Sequence, residues 1–588
     1  MLLSARTFRL PVALLLSLLA CFVRGNQVEV RVEGSYPALQ DNAEAFLGEV
    51  EGRSADSLRR YVPRAVDQIK TALQALGYYR PEITWEIVGE GPATLRLTVE
   101  PGEPVRVISR EVAIKGPASS DPAFSDDLPQ HPAEGDVLDH GAYTRLRDTI
   151  TNRARRLGYF DGRFEERSLQ VNPEEGTARI RLVYASGERY RLGGVTFAPG
   201  HGFSEDLLED FVTFEPGTPY HSDRVATLSR DLSNSGYFAG VDVNADPAWA
   251  RNLEIPVEVQ LTPRKRRSVA AGVGFSTDVG PRFRGNWREH WINEYGFRRG
   301  LETELSEPRQ NLTGWYELPL DPPMTDSIRF STGYQREKIE DIESDILTLG
   351  QQWKHQLESD WTQVLSLRWE GERFRIGDDP AETSSLLLPG VSYSKLHSDS
   401  PLDPSRGYRL QLEVSGAHQA VLSNVDILHV MLLARGVYTV ADRHRFLTRA
   451  RFGGVATNRF GDVPPSLRFF AGGDQSVRGY GYETLSPEDE DGTAVGGRYL
   501  MVGSFEYQYE FRNNWRAAMF FDHGNAVDDL LDPLASGAGI GIRWVSPVGP
   551  LRLDVAKGLD PHEEISYLPG FSSRQRSIGL AKASPTIA

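Results

Sequence analysis

Arg478 sits where a guanidinium could do structural work. It belongs to the stretch Leu467-Arg468-Phe469-Phe470-Ala471-Gly472-Gly473-Asp474-Gln475-Ser476-Val477-Arg478-Gly479-Tyr480. Segments of alternating polarity flank this stretch, so it reads as a long loop. Its glycines permit a tight tip. A guanidinium is a planar fork of donors and can bridge carboxylates in a fixed geometry. Two carboxylates downstream are placed to receive it. In Met501 to Phe511 the apolar parity falls on Met501, Phe505, Tyr507, Tyr509 and Phe511. Glu506, Gln508 and Glu510 then share the opposite face, because strand side chains alternate. In Ala517 to Asp522, Ala517, Met519 and Phe521 take one face and Asp522 the other. The chemistry on offer is anchoring, not bond making.

No other motif points to catalysis. Glu488-Asp489-Glu490-Asp491 is an acidic run without the spaced Asp/Asn loop and turn glycine that calcium needs. His290 has no second histidine at zinc-ligand spacing. No phosphate-cradling loop and no nucleophile elbow is found. A protein that is not an enzyme, with no cofactor and no metal, is expected. The formal net charge of −16 argues against a nucleic-acid partner, since phosphate binding needs a basic face.

The elements around these residues come in two textures. From about Ser268 onward the chain alternates with a period of two. Val269 to Phe275, Tyr408 to Val414 and Leu551 to Val555 each place apolar residues on every other position. One greasy face and one polar face suit a barrel with lipid outside and water inside. Trp287, Trp291, Tyr295, Trp353, Trp361, Trp369, Tyr499, Tyr507, Tyr509 and Trp544 could supply its aromatic girdles.

Before Ser268 the chain repeats itself three times. Leu76-Gly77-Tyr78-Tyr79, Leu157-Gly158-Tyr159-Phe160 and Ser235-Gly236-Tyr237-Phe238 each close an amphipathic segment. Val66, Ile69, Leu73 and Leu76 fall at helical spacing in the first, and Leu146, Ile150 and Leu157 do so more loosely in the second. Val225, Leu228 and Leu232 do so in the third. Gly77, Gly158 and Gly236 fit helix stops, where a left-handed residue lets the chain turn. Two strand-like stretches follow each helix and one precedes it. The order is strand, helix, helix, strand, strand, in modules of about 80 residues, enough for a small core. Arg264-Lys265-Arg266-Arg267 makes a basic joint to the second texture, either near phospholipid headgroups or solvated.

The N-terminus reads as an export leader. Arg6 and Arg9 flank the apolar run Leu10 to Val23, and cleavage fits after Gly25. Leu18-Leu19-Ala20-Cys21 also admits a lipoprotein reading, with Leu19 awkward for it. Cys21 is the only cysteine, so cleavage after Gly25 leaves no disulfide and no thiolate metal site.

The repeat, with its glycine-aromatic-aromatic stop, resembles the POTRA domain. Val477-Arg478-Gly479-Tyr480 is similar to the signature of the outer-membrane assembly-factor superfamily that includes BamA, TamA and the two-partner secretion transporters. Phe520-Phe521-Asp522-His523-Gly524 is similar to the family's second motif. Three repeats, with Phe275 to Arg282, Ala441 to Phe446, Val463-Pro464-Pro465 and Ser546 to Pro550, look most like the TamA branch. The resemblance implies a leader at 1–25, POTRA domains at 26–103, 104–188 and 189–265, and a transmembrane antiparallel barrel, of sixteen strands, at 266–588. It implies that the loop folds back into the lumen and that Arg478 pairs there with Glu506 and Asp522. It implies an outer-membrane protein with periplasmic POTRA domains that promotes insertion or secretion of barrel proteins such as autotransporters. The implied partners are a TamB-like inner-membrane-anchored protein, unfolded outer-membrane clients and lipid. A weak seam between the first strand, near Val269 to Val279, and the last, near Ser577 to Leu580, would template client strands. The alternative is a transporter that passes an exoprotein through the lumen. The C-terminus departs from the family pattern, with poor alternation after Phe571.

Overall fold

The computed structural model describes residues 27–48, 50, 54–89, 93–276, 278–339, 341–401, 403–546, 549–559 and 566–568. The expected leader, its cleavage site and the strand expected at Ser577 to Leu580 lie outside these residues.

Each N-terminal module is built on a three-stranded sheet with its last strand in the centre. In the first module Thr94–Glu100 lies between Val28–Val32, to which it is parallel, and Glu82–Val88, to which it is antiparallel. Leu95, Leu97 and Val99 on that central strand are fully buried. The strand with the firmest apolar parity therefore takes the position flanked on both sides. Helices Pro37–Leu47 and Ala55–Ala75 complete the core. Leu58, Ala65, Ile69, Ala72 and Leu73 of the longer helix have no exposed surface, the stripe expected of an amphipathic helix on a sheet.

The second module has strands Arg106–Lys115, Arg163–Asn172 and Thr177–Ala185 around helix His140–Leu157. The third has Arg191–Phe197, Phe238–Asn244 and Glu254–Pro263 with helix Ser222–Asn234. The first of the two expected helices shrinks to Pro122–Ser125 in the second module and Glu205–Glu209 in the third. Two compact units result, Met1–Val195 with Phe214–Ala226 and Asn244–Val257, and Thr196–Thr213 with Thr227–Val243 and Glu258–Ala588. The division runs through the third module.

Gly158 caps its helix in the left-handed conformation, with φ 87°. Gly77 and Gly236 have φ 90° and 81° just beyond their helices. The three differ in their surroundings. A Cβ at Gly77 would lie 2.5 Å from the Leu138 carbonyl oxygen, and one at Gly158 would lie 2.6 Å from Tyr220 Cβ. At both positions the missing side chain also lets a neighbouring segment close in. At Gly236 the space is open.

Among the described residues from Arg267 onward, sixteen strands are hydrogen-bonded in chain order. The first, Arg267–Ser276, pairs with Gly280–Glu289 along its whole length. The last among the described residues, Ser566–Leu568, pairs at three described positions with Gly549–Gly558. The two faces of this sheet reverse the usual rule of burial. Glu289, Glu370, Glu372, Glu506, Asp522 and Asp554 are buried, while Val273 is 79% exposed and Met519 57% exposed. Leu312, Leu349, Phe452, Phe505 and Ile540 are exposed as well. Charge inside and apolar surface outside is the arrangement of a barrel in lipid. Among the described residues no helix is long and apolar enough to cross a membrane.

Trp291 does not join a lipid-facing girdle. It packs edge-on against Phe203, ring centroids 5.4 Å apart, with the Arg266 guanidinium 5.1 Å from its ring. Tyr237 Oη donates to the Gly296 carbonyl nearby (2.8 Å). The basic joint is thus tied locally, and Arg267 also donates to Glu289 (2.8 Å).

Candidate functional site

The site forms where the loop 457–498 meets four consecutive strands, the twelfth to the fifteenth. These are Tyr499–Arg512, Trp515–Val527, Ala535–Ser546 and Gly549–Gly558. The loop turns inward and packs against the inner wall. Leu467, Phe469, Ala471, Val477 and Tyr480 join Leu386, Leu388, Leu500 and Val502 of the wall in one buried apolar cluster. Polar contacts pin the loop on two sides. Ser466 Oγ donates to Glu370 Oε1 (3.0 Å) and also to Glu372, and Arg449 Nη2 donates to the Ser476 carbonyl (2.7 Å).

Arg478 is 3% exposed, and Asp522 and Glu506 are 0% and 8% exposed. Its Nε donates to Asp522 Oδ2 (2.6 Å) and its Nη2 to Asp522 Oδ1 (2.8 Å), a bidentate fork. Nη1 donates to Glu506 Oε2 (2.7 Å). The Arg478 amide adds a bond to Asp522 Oδ2 (3.1 Å), so main chain and side chain are held by one carboxylate. The guanidinium carbon lies 3.4 Å from the centroid of the Phe520 ring, which closes its flat face. Burial alone would lower the arginine pKa. The hydrogen bonds and charges of Asp522, then Glu506, more than reverse this and hold it above the ordinary value.

Register explains the meeting. Asp522 stands opposite Ser504 on one side and Gly537 on the other, and Glu506 stands opposite Phe520. A Cβ at Gly537 would sit 1.9 Å from the Arg478 carbonyl oxygen. The wall therefore has a notch where the loop backbone passes. Gly479, with φ 99°, turns the chain there, and a Cβ on it would lie 2.5 Å from the Gly558 amide nitrogen. Tyr480 Oη then donates to the Ser536 carbonyl (3.1 Å), and Val477 is fully buried. Val477, Arg478, Gly479 and Tyr480 thus each make a different contact with the same wall.

The cluster is wider than the two acids read from the sequence. Arg543 donates through Nε (3.1 Å) and Nη2 (2.9 Å) to Glu506 Oε1, and through Nη1 to Asp554 Oδ1 (2.5 Å). Arg543 stands directly opposite Arg552. Asp554 offsets that repulsion by meeting both, with its Oδ2 3.2 Å from Arg552 Nε. Arg552 in turn reaches the loop again at Asp474 Oδ2 (3.1 Å). The parity that marked Glu506 also marks these residues. Ile540, Ile542 and Trp544 face out, which puts Arg543 inward, and the alternation of Leu551 to Val555 puts Arg552 and Asp554 inward. Gly77, Gly158 and Gly236 lie in the modules and take no part in this cluster.

Beside the loop remains a cavity of about 690 Å³, lined by both signs of charge, including Arg309, Glu337, Arg368 and Glu370. The acidic run at Glu488 to Asp491 closes on itself, with Asp489 accepting from the amides of Asp491 and Thr493. Among the described residues no three His, Cys, Asp or Glu side chains group as a metal site would require. What the site can do is hold a long loop in a defined place inside a barrel.

Comparison with known proteins agrees with this architecture. Residues 29–101 match the POTRA domain TamA domain 1, and residues 255–569 match the Omp85 superfamily domain. The outer membrane protein assembly factor BamA of Nitratidesulfovibrio vulgaris (strain Hildenborough) is 22% identical over 411 residues, 66% of this chain and 51% of that one. BamA of Neorickettsia risticii (strain Illinois) is 24% identical over 443 residues, 66% of this chain and 56% of that one. The chain spans about half the length of these curated relatives. Among solved structures, BamA from Haemophilus ducreyi lacking POTRA domains 1–3 aligns with a TM-score of 0.65 at 15% identity, over 79% of this chain and 98% of that one. That likeness is one of fold. The barrel lies in the outer membrane with the POTRA domains in the periplasm. Since the superfamily match takes in more than half of the residues, including the whole of the Arg478 cluster, the chain belongs to the Omp85 superfamily.

Proposed function

We propose that this protein is an outer-membrane assembly factor of the TamA type. It promotes insertion or secretion of barrel proteins such as autotransporters, and its POTRA domains engage clients and a TamB-like partner. The reading takes 1–25 as leader, 26–103, 104–188 and 189–265 as the three POTRA domains, and 266–588 as the barrel. A first-to-last-strand seam is its working edge, because unsatisfied edge groups accept a client strand. No nucleotide enters this scheme, and client folding supplies the free energy.

The observation that carries the reading is the buried loop. Val477 and Tyr480 pack into an apolar cluster and Arg478 is clasped by the wall, so the loop occupies the space a translocating chain would need. A lumen occupied by a clasped loop favours work at the seam over passage through the lumen. A photoreactive residue at Val273, on the outward face of the first strand, tests this. Labelled barrel clients are expected. A soluble exoprotein labelled from inside the lumen would replace this reading with the transporter.

A further inference from the structure

The charge cluster does not end at Arg478. It continues through contacts already described, from Glu506 to Arg543, Asp554, Arg552 and back to the loop at Asp474. One more contact follows. The amide of Asp474 donates to Asp278 Oδ2 (2.8 Å). Asp278 lies in the turn between the first strand, Arg267–Ser276, and the second, Gly280–Glu289. A single loop thus holds the fifteenth strand through Arg552 and the tip of the first hairpin through Asp278. These elements come from the two ends of the sheet. Gly473 belongs to the same contact, since a Cβ there would lie 2.8 Å from Asp278 Oδ2.

We propose that Asp278 and Asp474 form a proton-linked latch through which the lumenal loop holds the tip of the first hairpin, and that loss of the shared proton frees it. Along the cluster, cations and anions alternate until the last link, where two carboxylates meet. Arg552 is the cation that acts on both. Around the adjoining cavity stand Arg282, Glu304, Arg309 and Glu337 of the wall, with Tyr482 and Glu483 of the loop. Burial first, then the charge of Asp474 and its side-chain hydrogen bond, push the Asp278 carboxyl up to about 7. The latched state therefore holds a proton that a released, solvated carboxyl would give up near its ordinary 3.8. The latch is firm at acid pH, weakens as pH rises above the released value, and has lost this contribution once pH passes about 7. At Arg478 the two carboxylates share one guanidinium that stays protonated, and the clasp keeps its hold across the same range.

The use of the latch in admitting client strands rests on the assembly reading, whereas its existence does not. The test uses the full chain in proteoliposomes, with amide hydrogen exchange of the hairpin tip (276–283) corrected for intrinsic rates. From pH 6 to pH 8.5 the latched population should fall about tenfold relative to the released one. Protection of 475–480 should stay constant. Asp278→Asn keeps an acceptor for the Asp474 amide and should protect the tip equally at both pH values. Asp474→Ala keeps the amide donor but removes the like charge and the shared proton, so tip protection should respond less to pH than in the unmodified chain. Tip protection that ignores pH in the unmodified chain, or that responds to pH as strongly in Asp474→Ala, overturns the latch. Client insertion is measured separately in the unmodified chain at pH 6. Failure there sinks the assembly reading and leaves the exchange result to stand alone.

Discussion

The modules bury apolar side chains, and the barrel buries a charge cluster as well. In the first module Leu58, Ile69, Leu73, Leu95 and Leu97 fill the interior, and each side chain so buried contributes on the order of 1.5–3 kcal/mol. In the barrel many apolar residues face lipid, and beside the apolar cluster of the loop the interior holds Arg478, Arg543, Glu506, Asp522 and Asp554. An apolar core tolerates small errors of position, because dispersion and area are non-directional. A buried ionic cluster does not, because an unpaired charge there is costly. The two halves should therefore fail differently, the modules by volume and backbone fit, the barrel by loss of a single partner.

The largest effect is expected at Arg478. Arg478→Ala leaves Asp522 buried with its fork unfilled, at a cost of about 3–5 kcal/mol. The loop should then become accessible at 474–480 to protease added from outside the cell. Arg478→Lys should restore part of the function, since an ammonium cannot fill two carboxylates with a planar fork. Asp522→Ala should resemble Arg478→Ala, and the double variant should be little worse than either. Additive defects would mean that the two residues act independently, and the contrast with the modules would lose its basis.

Much of this contrast was legible in the sequence. Parity alone put Glu506 and Asp522 on one face, because a strand side chain has only two sides. The same parity pointed at Arg543, Arg552 and Asp554, and nothing in the sequence said which inward residues the loop would touch. That depends on register between strands, which places Asp522 beside Ser504 and Gly537. Nothing in the stretch Phe275 to Arg282 gives Asp278 a role, since its partner lies in a loop 196 positions away. Trp291 looked like a girdle residue because an aromatic at a strand end fits lipid and protein equally well. Its partner, Phe203, comes from the third module.

In the modules the sharpest prediction concerns backbone fit. Gly158→Val meets two obstacles, a φ of 87° and the Tyr220 Cβ at 2.6 Å. Strain of this kind costs about 1–3 kcal/mol before the clash is counted. Gly236→Ala meets only the first, since its surroundings are open, and should cost about 1 kcal/mol. Melting of the full chain in detergent, followed by far-UV circular dichroism, should rank them in that order. Equal losses would show that close approach adds nothing at Gly158, and that these glycines serve as helix stops alone.

The smallest effect separates the halves by pH. Tyr79 Oη and His140 Nε2 are 2.6 Å apart, between the first and second modules. A neutral ring nitrogen accepts the tyrosine proton, and a protonated one cannot. Burial, only partly offset by the charge of Asp139, lowers the His140 pKa below the ordinary 6.5. The unfolded chain therefore binds more protons than the folded one as pH drops past that value, and stability falls with it. The stabilising contribution is fully present at neutral pH and declines as pH falls from about 6.5. The shift belongs to a half-exposed group, so solvent screening keeps the effect small. A fragment spanning 26–188 should melt at a lower temperature at pH 5.5 than at pH 7.5, and His140→Gln should flatten that difference. The hairpin latch has the opposite sign, firm in acid and loose in base. One acid titration of the full chain should therefore loosen the junction at His140 while tightening the tip at Asp278. If both regions move in the same direction, the two proton-linked contacts are not independent, and at least one of the assigned causes is wrong.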